Sequence, residues 1–211
     1  MLISTEIRWF WRDTAPEGLE DWFLGAAGHP CAAGGGGTRT DDYLRDASQS
    51  ELGIKRRGGR KSIEIKGLVS VLPECLEAGP FVGKIELWAK WISGAVDLES
   101  DATIAVGKRR MFRKFDTFGP LPEEVPLGLD EAPIGGRQWP TRGCNAELTR
   151  VTLERGDVWW TFGLEAFGTL STVERDLRTV ADLLSSRRPP ELPEGLQASY
   201  PAWLKTLTDS A

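Results

Sequence analysis

ELGIKRRGGRKSIEIKG, residues 51–67, has the pattern of a β-hairpin. Two runs that alternate apolar and charged residues flank Gly58-Gly59, a dipeptide suited to the positive φ angles of a two-residue turn. Folding there sets Arg57 opposite Arg60, Lys55 opposite Ser62, Gly53 opposite Glu64 and Glu51 opposite Lys66. The other face then pairs Ile54 with Ile63 and Leu52 with Ile65, because successive side chains point to opposite sides of a strand. One face is therefore apolar and needs a cover. The charged face is either solvent-facing surface or the lining of a wet cavity, and the alternation allows both.

The same alternation recurs outward from the hairpin. In LISTEIRWFW (2–11), Ile3, Thr5, Ile7, Trp9 and Trp11 share one face, while Ser4, Glu6, Arg8 and Phe10 share the other. A short strand at 40–45 precedes the hairpin, whose second arm runs on to Val71. After a break at 73–79, the run 81–91 sets Ile85, Leu87, Ala89 and Trp91 against Lys84, Glu86, Trp88 and Lys90. Residues 102–115 form a sixth strand with Ile104, Val106, Lys108 and Arg110 on one face. Two more strands, near 144–154 and 158–167, turn at Arg155-Gly156-Asp157.

Helical patterns flank these strands. Residues 17–27 place Leu19, Trp22 and Phe23 on one side, with Pro16 near the start. STVERDLRTVADLLSSRR (171–188) has capping-box spacing at Ser171 and Glu174 and an apolar stripe of Val173, Leu177, Val180, Ala181 and Leu184. Pro189 and Pro190 end it, and a last helical turn at 202–207 folds back onto the body. The stretch GHPCAAGGGGT (28–38) reads as a flexible loop. No GK[ST] follows its glycines, which excludes a phosphate-binding loop of that type. GPLPEEVPLGLDEAPIGG (119–136), rich in proline and acids, is a long surface loop of the kind that serves as a lid or is simply mobile.

These parts predict one α+β domain over 1–211, with strands over about 2–168 and a helical segment over 169–211. Its core is an eight-stranded antiparallel β-barrel or tunnel with a polar interior, flanked by two or three amphipathic helices that cover the outer apolar face. A hydrophobic fraction of 40% and a charged fraction of 27% suit a globular chain rather than a disordered one. The net charge of −5 argues against a broad footprint for duplex nucleic acid. No apolar run reaches membrane-spanning length and no leader pattern opens the chain, so a soluble cytoplasmic protein is expected, with no membrane partner. Cys31, Cys75 and Cys144 are odd in number and lack CxxC spacing, which predicts reduced, buried thiols. His29 is the only histidine, which rules out histidine triads and multi-histidine metal centres.

Charge spacing supplies the candidate site. Arg8, Lys55, Arg57, Lys66, Lys108 and Arg110 occupy alternating positions on four strands, with Glu6, Glu64 and Glu165 interleaved. Basic groups converging from several strands would bind a small, highly charged phosphorylated anion through forked and point-charge donors. A carboxylate or two among them would hold Mg²⁺ or Mn²⁺. The plainer alternative is a set of solvated strand faces with cross-strand ion pairs worth about 0.2–1 kcal/mol each. Glu147 and Arg150 fall on opposite faces, so at most one lines the interior and neither is assigned. Trp9, Trp11, Trp22, Trp91 and Trp160 are read as packing residues, and Trp88 as able to stack on a base.

The order of these pieces resembles the CYTH-like, or triphosphate tunnel metalloenzyme, superfamily over most of residues 3–168. The pieces are the acidic-basic first strand, DDYL (41–44), LGIKRR (52–57), IEIKG (63–67), KRR (108–110) and VTLERGDVWWTFGLEAFG (151–168). The resemblance implies a tunnel lined by Glu, Lys and Arg that binds triphosphate compounds with a divalent metal. Carried over, the six basic residues would clamp phosphate oxygens, with Arg8 standing for a motif lysine. Glu6 and Glu165 would be metal ligands, and Glu64 would ligate metal or hold Lys66. The family's opening ExExK reads S-T-E-I-R here, and its late ExE reads Glu165 then Phe167. Lost carboxylates weaken a metal site and the hydrolysis it supports. Two functions are expected: a metal-dependent triphosphatase-like phosphohydrolase, or a non-catalytic polyanion- or nucleotide-binding or interaction module that keeps the fold. A lipocalin-like barrel with an apolar cavity, its charges facing out, is the third.

Overall fold

The structure is a computed structural model that describes residues 1–25, 33–45, 50–95, 98 and 103–208. His29 and Cys31 lie outside the described residues. The alternating runs fold as β1 (Leu2–Arg12), β2 (Gly34–Leu44), β3 (Leu52–Arg57), β4 (Ile63–Val71), β7 (Glu86–Ser93), β8 (Thr103–Asp116), β10 (Gly143–Leu153) and β11 (Val158–Gly168). Short strands β5 (Leu76–Ala78), β6 (Phe81–Gly83), β9 (Glu123–Val125) and β12 (Leu196–Gln197) lie between or beside them. The helices are α1 (Leu19–Leu24), α2 (Val173–Ser186) and α3 (Tyr200–Thr208).

The eight long strands pair antiparallel in the order β10-β11-β1-β7-β4-β3-β2-β8, and β8 pairs back onto β10. The barrel is closed, which removes the open edges a sheet would otherwise present. β7 pairs with β1 only over Leu2 to Glu6, and β12 takes up the same side of β1 at Trp9 and Phe10.

Its polarity is the reverse of an apolar-cavity barrel. The outward faces of β1, β10 and β11 carry Ile7, Trp9, Trp11, Ala146, Leu148, Trp160, Phe162 and Leu164. Over them pack Leu19, Trp22 and Phe23 of α1, the expected stripe of α2, and Leu76 and Phe81 of the β5–β6 hairpin. The Phe81 and Phe162 rings stack 5.2 Å apart at the centre of that layer. Inside, the charged side chains face one another, but one end of the interior is aromatic. There α3 closes the barrel: Trp203 is fully buried, stacks on Phe10 at 4.8 Å and meets Trp159 edge-on. Tyr43, Val106 and Val151 complete this plug.

Several local expectations are corrected. The Gly58-Gly59 turn forms, with φ of 55° and 70° and the Arg60 N–H donating to the Arg57 carbonyl at 3.0 Å. The ladder resumes two residues out of the expected register, setting Lys55 opposite Glu64 and Ile54 opposite Ile65, because Lys61 and Ser62 widen the loop. A two-residue slip keeps every side chain on its face, so the inward set is unchanged. The glycine run at 34–37 is strand rather than loop. Helix α1 is shorter than expected, bounded by left-handed Gly18 and Gly25. Helix α2 starts after Thr172 without a side-chain cap, and the Ser171 hydroxyl turns to Thr169 at 3.2 Å instead. Cys144 is buried but Cys75 is exposed. Trp91 is half exposed rather than packed, whereas Trp88 is fully buried and offers no free face to a base. Among the described residues no helix is long and apolar enough to cross a membrane.

If the α3 plug is part of the fold's stability, Trp203→Ala should cost about 3–5 kcal/mol, the range for emptying a large aromatic site. Urea unfolding followed by the remaining tryptophans measures it. A loss under about 1 kcal/mol would mean that α3 is only loosely laid on the barrel.

Candidate functional site

Strand alternation sorts the two basic runs into inward and outward halves. From KRRGGRK, Lys55 and Arg57 point into the barrel, while Arg56 pairs outside with Asp42 at 3.2 Å. From KRRMFRK, Lys108 and Arg110 point inward, while Arg109 reaches Glu20 at 2.6 Å and Arg113 donates to the Phe23 carbonyl at 2.8 Å. All six basic candidates, Arg8, Lys55, Arg57, Lys66, Lys108 and Arg110, line a single cavity of about 110 Å³. Glu6, Glu64 and Glu165 line it as well.

Sequence reasoning missed four charged residues that belong with these: Arg39, Lys90 and Glu147 on the lining, and Asp41 buried behind it. Lys90 shares the inward alternation of β7 and was legible in principle. Arg39 was hidden because the strand was expected to begin only at residue 40, whereas Asp41 fell within that expected strand but was not placed on its inward face. Glu147 needed the register, which sets it opposite Phe112 of β8 and Gly163 of β11. Arg150, the other half of that pair, is exposed outside.

The carboxylates are shared among more cations than there are acids. Asp41, fully buried, accepts from Arg39 at 3.1 Å and Lys55 at 3.2 Å, with Lys108 at 3.3 Å. Burial opposes its charge, but Lys55, Lys108 and Arg39 hold its carboxyl far below the usual carboxylate range. Glu147 bridges Arg8 at 3.2 Å and Arg110 at 3.1 Å and is likewise held well down by them against burial. Glu64 serves Lys55 and Lys90, each at 3.5 Å, and Arg57 at 3.9 Å. Arg57 is the least satisfied cation. Burial and the nearby Arg39 and Arg110 push its guanidinium below its ordinary value.

Two carboxyls face each other across the β1–β11 ladder at Glu6 and Glu165. Burial raises Glu6, which is hydrogen-bonded by Lys66 and by the Ser4 hydroxyl at 3.1 Å. Glu165 resists burial through Lys66, Lys90 and a hydrogen bond from Glu6, and is held down to about 2. Burial and the neighbouring charge thus push the two carboxyls apart, Glu6 upward and Glu165 downward. Glu64 is engaged by Lys55, Lys90 and Arg57 rather than by Lys66. Among the described residues no group of three or more His, Cys, Asp or Glu side chains is arranged for a metal ion.

A third cluster joins the charged middle to the plug. Lys108 donates to the Tyr43 hydroxyl at 2.8 Å and lies 3.7 Å from the centre of the Tyr200 ring. Burial and Lys55 drive its ammonium well below the ordinary lysine value, so its proton is unusually easy to remove.

Asp41→Asn keeps the shape and strips three cations of their shared counter-ion. It should cost about 3–5 kcal/mol at pH 7, the range for breaking a buried pair from one side. Because Asp41 is depressed in the folded state, its contribution is complete above its unfolded value of about 4 and is lost as pH falls below that. Wild-type stability should therefore fall more steeply on acidification than that of Asp41→Asn, as read from urea midpoints across pH 6 to about 3. Parallel acid limbs would contradict this assignment. No protein-family model matches this chain and no curated protein matches it, so its function has to be argued from the cavity itself.

Proposed function

We propose that the barrel interior binds an oligophosphate anion of the triphosphate or nucleotide type, and that the chain is a divergent relative of the CYTH-like, triphosphate tunnel proteins. The crowding around Arg57 carries this reading. Burial and the neighbouring Arg39 and Arg110 push the Arg57 guanidinium below its ordinary value, and its nearest carboxylate, Glu64, is 3.9 Å away. A partly buried guanidinium this poorly compensated is relieved by a multiply charged anion whose oxygens match its forked donors. Arg8, Lys55, Lys66, Lys108 and Arg110 face the same space and would complete the clamp. The protein as a whole is acidic, which makes so basic an interior a local device rather than a by-product of composition. The free thiols of Cys75 and Cys144 suit a reducing cytoplasm as the setting.

The Glu6–Glu165 pair favours a second reading, metal-dependent phosphohydrolysis. Mg²⁺ or Mn²⁺ is commonly held by one or two carboxylates together with phosphate oxygens, and these two side chains fit that donor set. When bound, such an ion would neutralise charge on the transferring phosphoryl group. Lys66 already bonds Glu6, so the ammonium would have to yield its place to the ion. The non-catalytic alternative needs no such exchange.

Calorimetric titration with inorganic triphosphate, with and without Mg²⁺, tests the binding. Wild type should bind one anion per chain, more weakly as salt rises. Arg57→Ala should bind about tenfold to a hundredfold more weakly, the worth of one or two charge-assisted hydrogen bonds, with an unchanged Tm. Wild type that binds no triphosphate under either condition would refute the reading. Phosphate release that requires Mg²⁺ and disappears in Glu6→Gln would establish the hydrolase, and binding without release would establish the module.

A further inference from the structure

The acidic segment 119–136 and the glycines at 34–37 have no part in the binding proposal, yet the structure brings them together at its edge. Strand β9 anchors the segment by pairing with β8, and Val125 and Leu127 pack on Phe112. Beyond that anchor the chain closes on itself. Ile134 N–H donates to the Pro126 carbonyl at 3.1 Å, Gly128 N–H to Ala132 at 2.8 Å, and Glu131 N–H to Gly128 at 3.0 Å. Leu129 at the tip is exposed.

Glu131 sits at this tip with φ of 64°, a left-handed conformation that side-chain-bearing residues seldom adopt. From there its carboxylate meets the fork of Arg110, with Nε to Oε1 at 2.9 Å and a terminal N–H to Oε2. It gets there across β2 only because residue 35 is glycine. A Cβ at that position would lie 2.7 Å from the Arg110 carbonyl and 2.9 Å from Glu131 Oε1. One at Gly34 would lie 2.7 Å from Leu127 Cβ. The glycines thus let the tip lie flat against the barrel.

A carboxylate on both arms of an arginine fork takes up the geometry that a phosphate oxygen pair would use. We propose that the tip 126–134 is an autoinhibitory latch: Glu131 occupies the place of the anion on Arg110 and is displaced when an oligophosphate binds. This rests on the binding reading above. Gly128 on one side and Gly135-Gly136 on the other, the latter pair with φ of 71° and 72°, give the tip hinges on which to swing.

The test titrates wild type, Glu131→Gln, Glu131→Ala and Glu123→Gln with inorganic triphosphate. Glu123 lies in the same segment but pairs with Arg137, so it controls for a bulk change of charge. The two Glu131 variants should bind about tenfold tighter than wild type, because a competing charge-assisted contact is gone. Glu123→Gln should match wild type. In wild type, triphosphate should speed hydrogen exchange at the amides of Gly128, Glu131 and Ile134. Affinity that is unchanged or weaker in both Glu131 variants, an equal gain in Glu123→Gln, or exchange that does not speed up would each overturn the latch while leaving the binding site standing. Failure of all four proteins to bind would overturn both proposals.

Discussion

An ion taken out of water must find a partner of opposite charge, and that requirement organises the centre of this barrel. Desolvating a cation costs several kcal/mol, which only a close and well-oriented carboxylate offsets. Here the carboxylates are rationed. Asp41 serves three cations, Glu64 three and Glu147 two. The interior holds together without being neutralised, and the deficit falls on Arg57, whose nearest carboxylate is 3.9 Å away and whose guanidinium is pushed down by burial, Arg39 and Arg110. Under the proposed binding, stability and affinity would be set by the same side chains and pull in opposite directions: each added carboxylate would steady the barrel and dull the site.

The outer layer makes that arrangement affordable. The inverted polarity leaves a greasy wall that water would punish, and α1, α2 and the β5–β6 hairpin cover much of it with aromatic and aliphatic side chains. The plug at the inner end is less complete. Its burial is aromatic, but the indole N–H groups of Trp159 and Trp203 are buried without a hydrogen-bond partner among the described residues. An unpaired buried donor costs about 1–3 kcal/mol, so α3 is held by stacking against a polar penalty.

Much of this was legible from residue alternation. The face assignments of Arg8, Lys55, Arg57, Lys66, Lys108 and Arg110 depend only on odd-even position, and so survived a hairpin register that was off by two. What alternation cannot supply is closure. Asp41 met Lys108, and Glu147 met Arg110, only once β8 paired with both β2 and β10, and neither pairing leaves a local trace. Composition also misled at 34–37, where glycine meant close approach between elements rather than freedom of the loop. Ser171 shows the limit of motif spacing, since the capping-box pattern was present and the cap was not made.

Seating α3 in one end of the barrel makes Tyr200 and Pro201 part of the cavity lining. The partly exposed Arg39, Lys55, Arg57, Lys66 and Lys90 mark the accessible part of that lining, while Tyr200 at the other side packs on the stacked Phe10 and Trp203. If the proposed binding holds, a cavity closed off by α3 at one end would take the tip of a chain and be indifferent to what trails outside it. Two molecules sharing the same terminal group would look alike to it whatever their length, whereas a ring or an internal segment of the same chemistry would be refused for want of an end to insert.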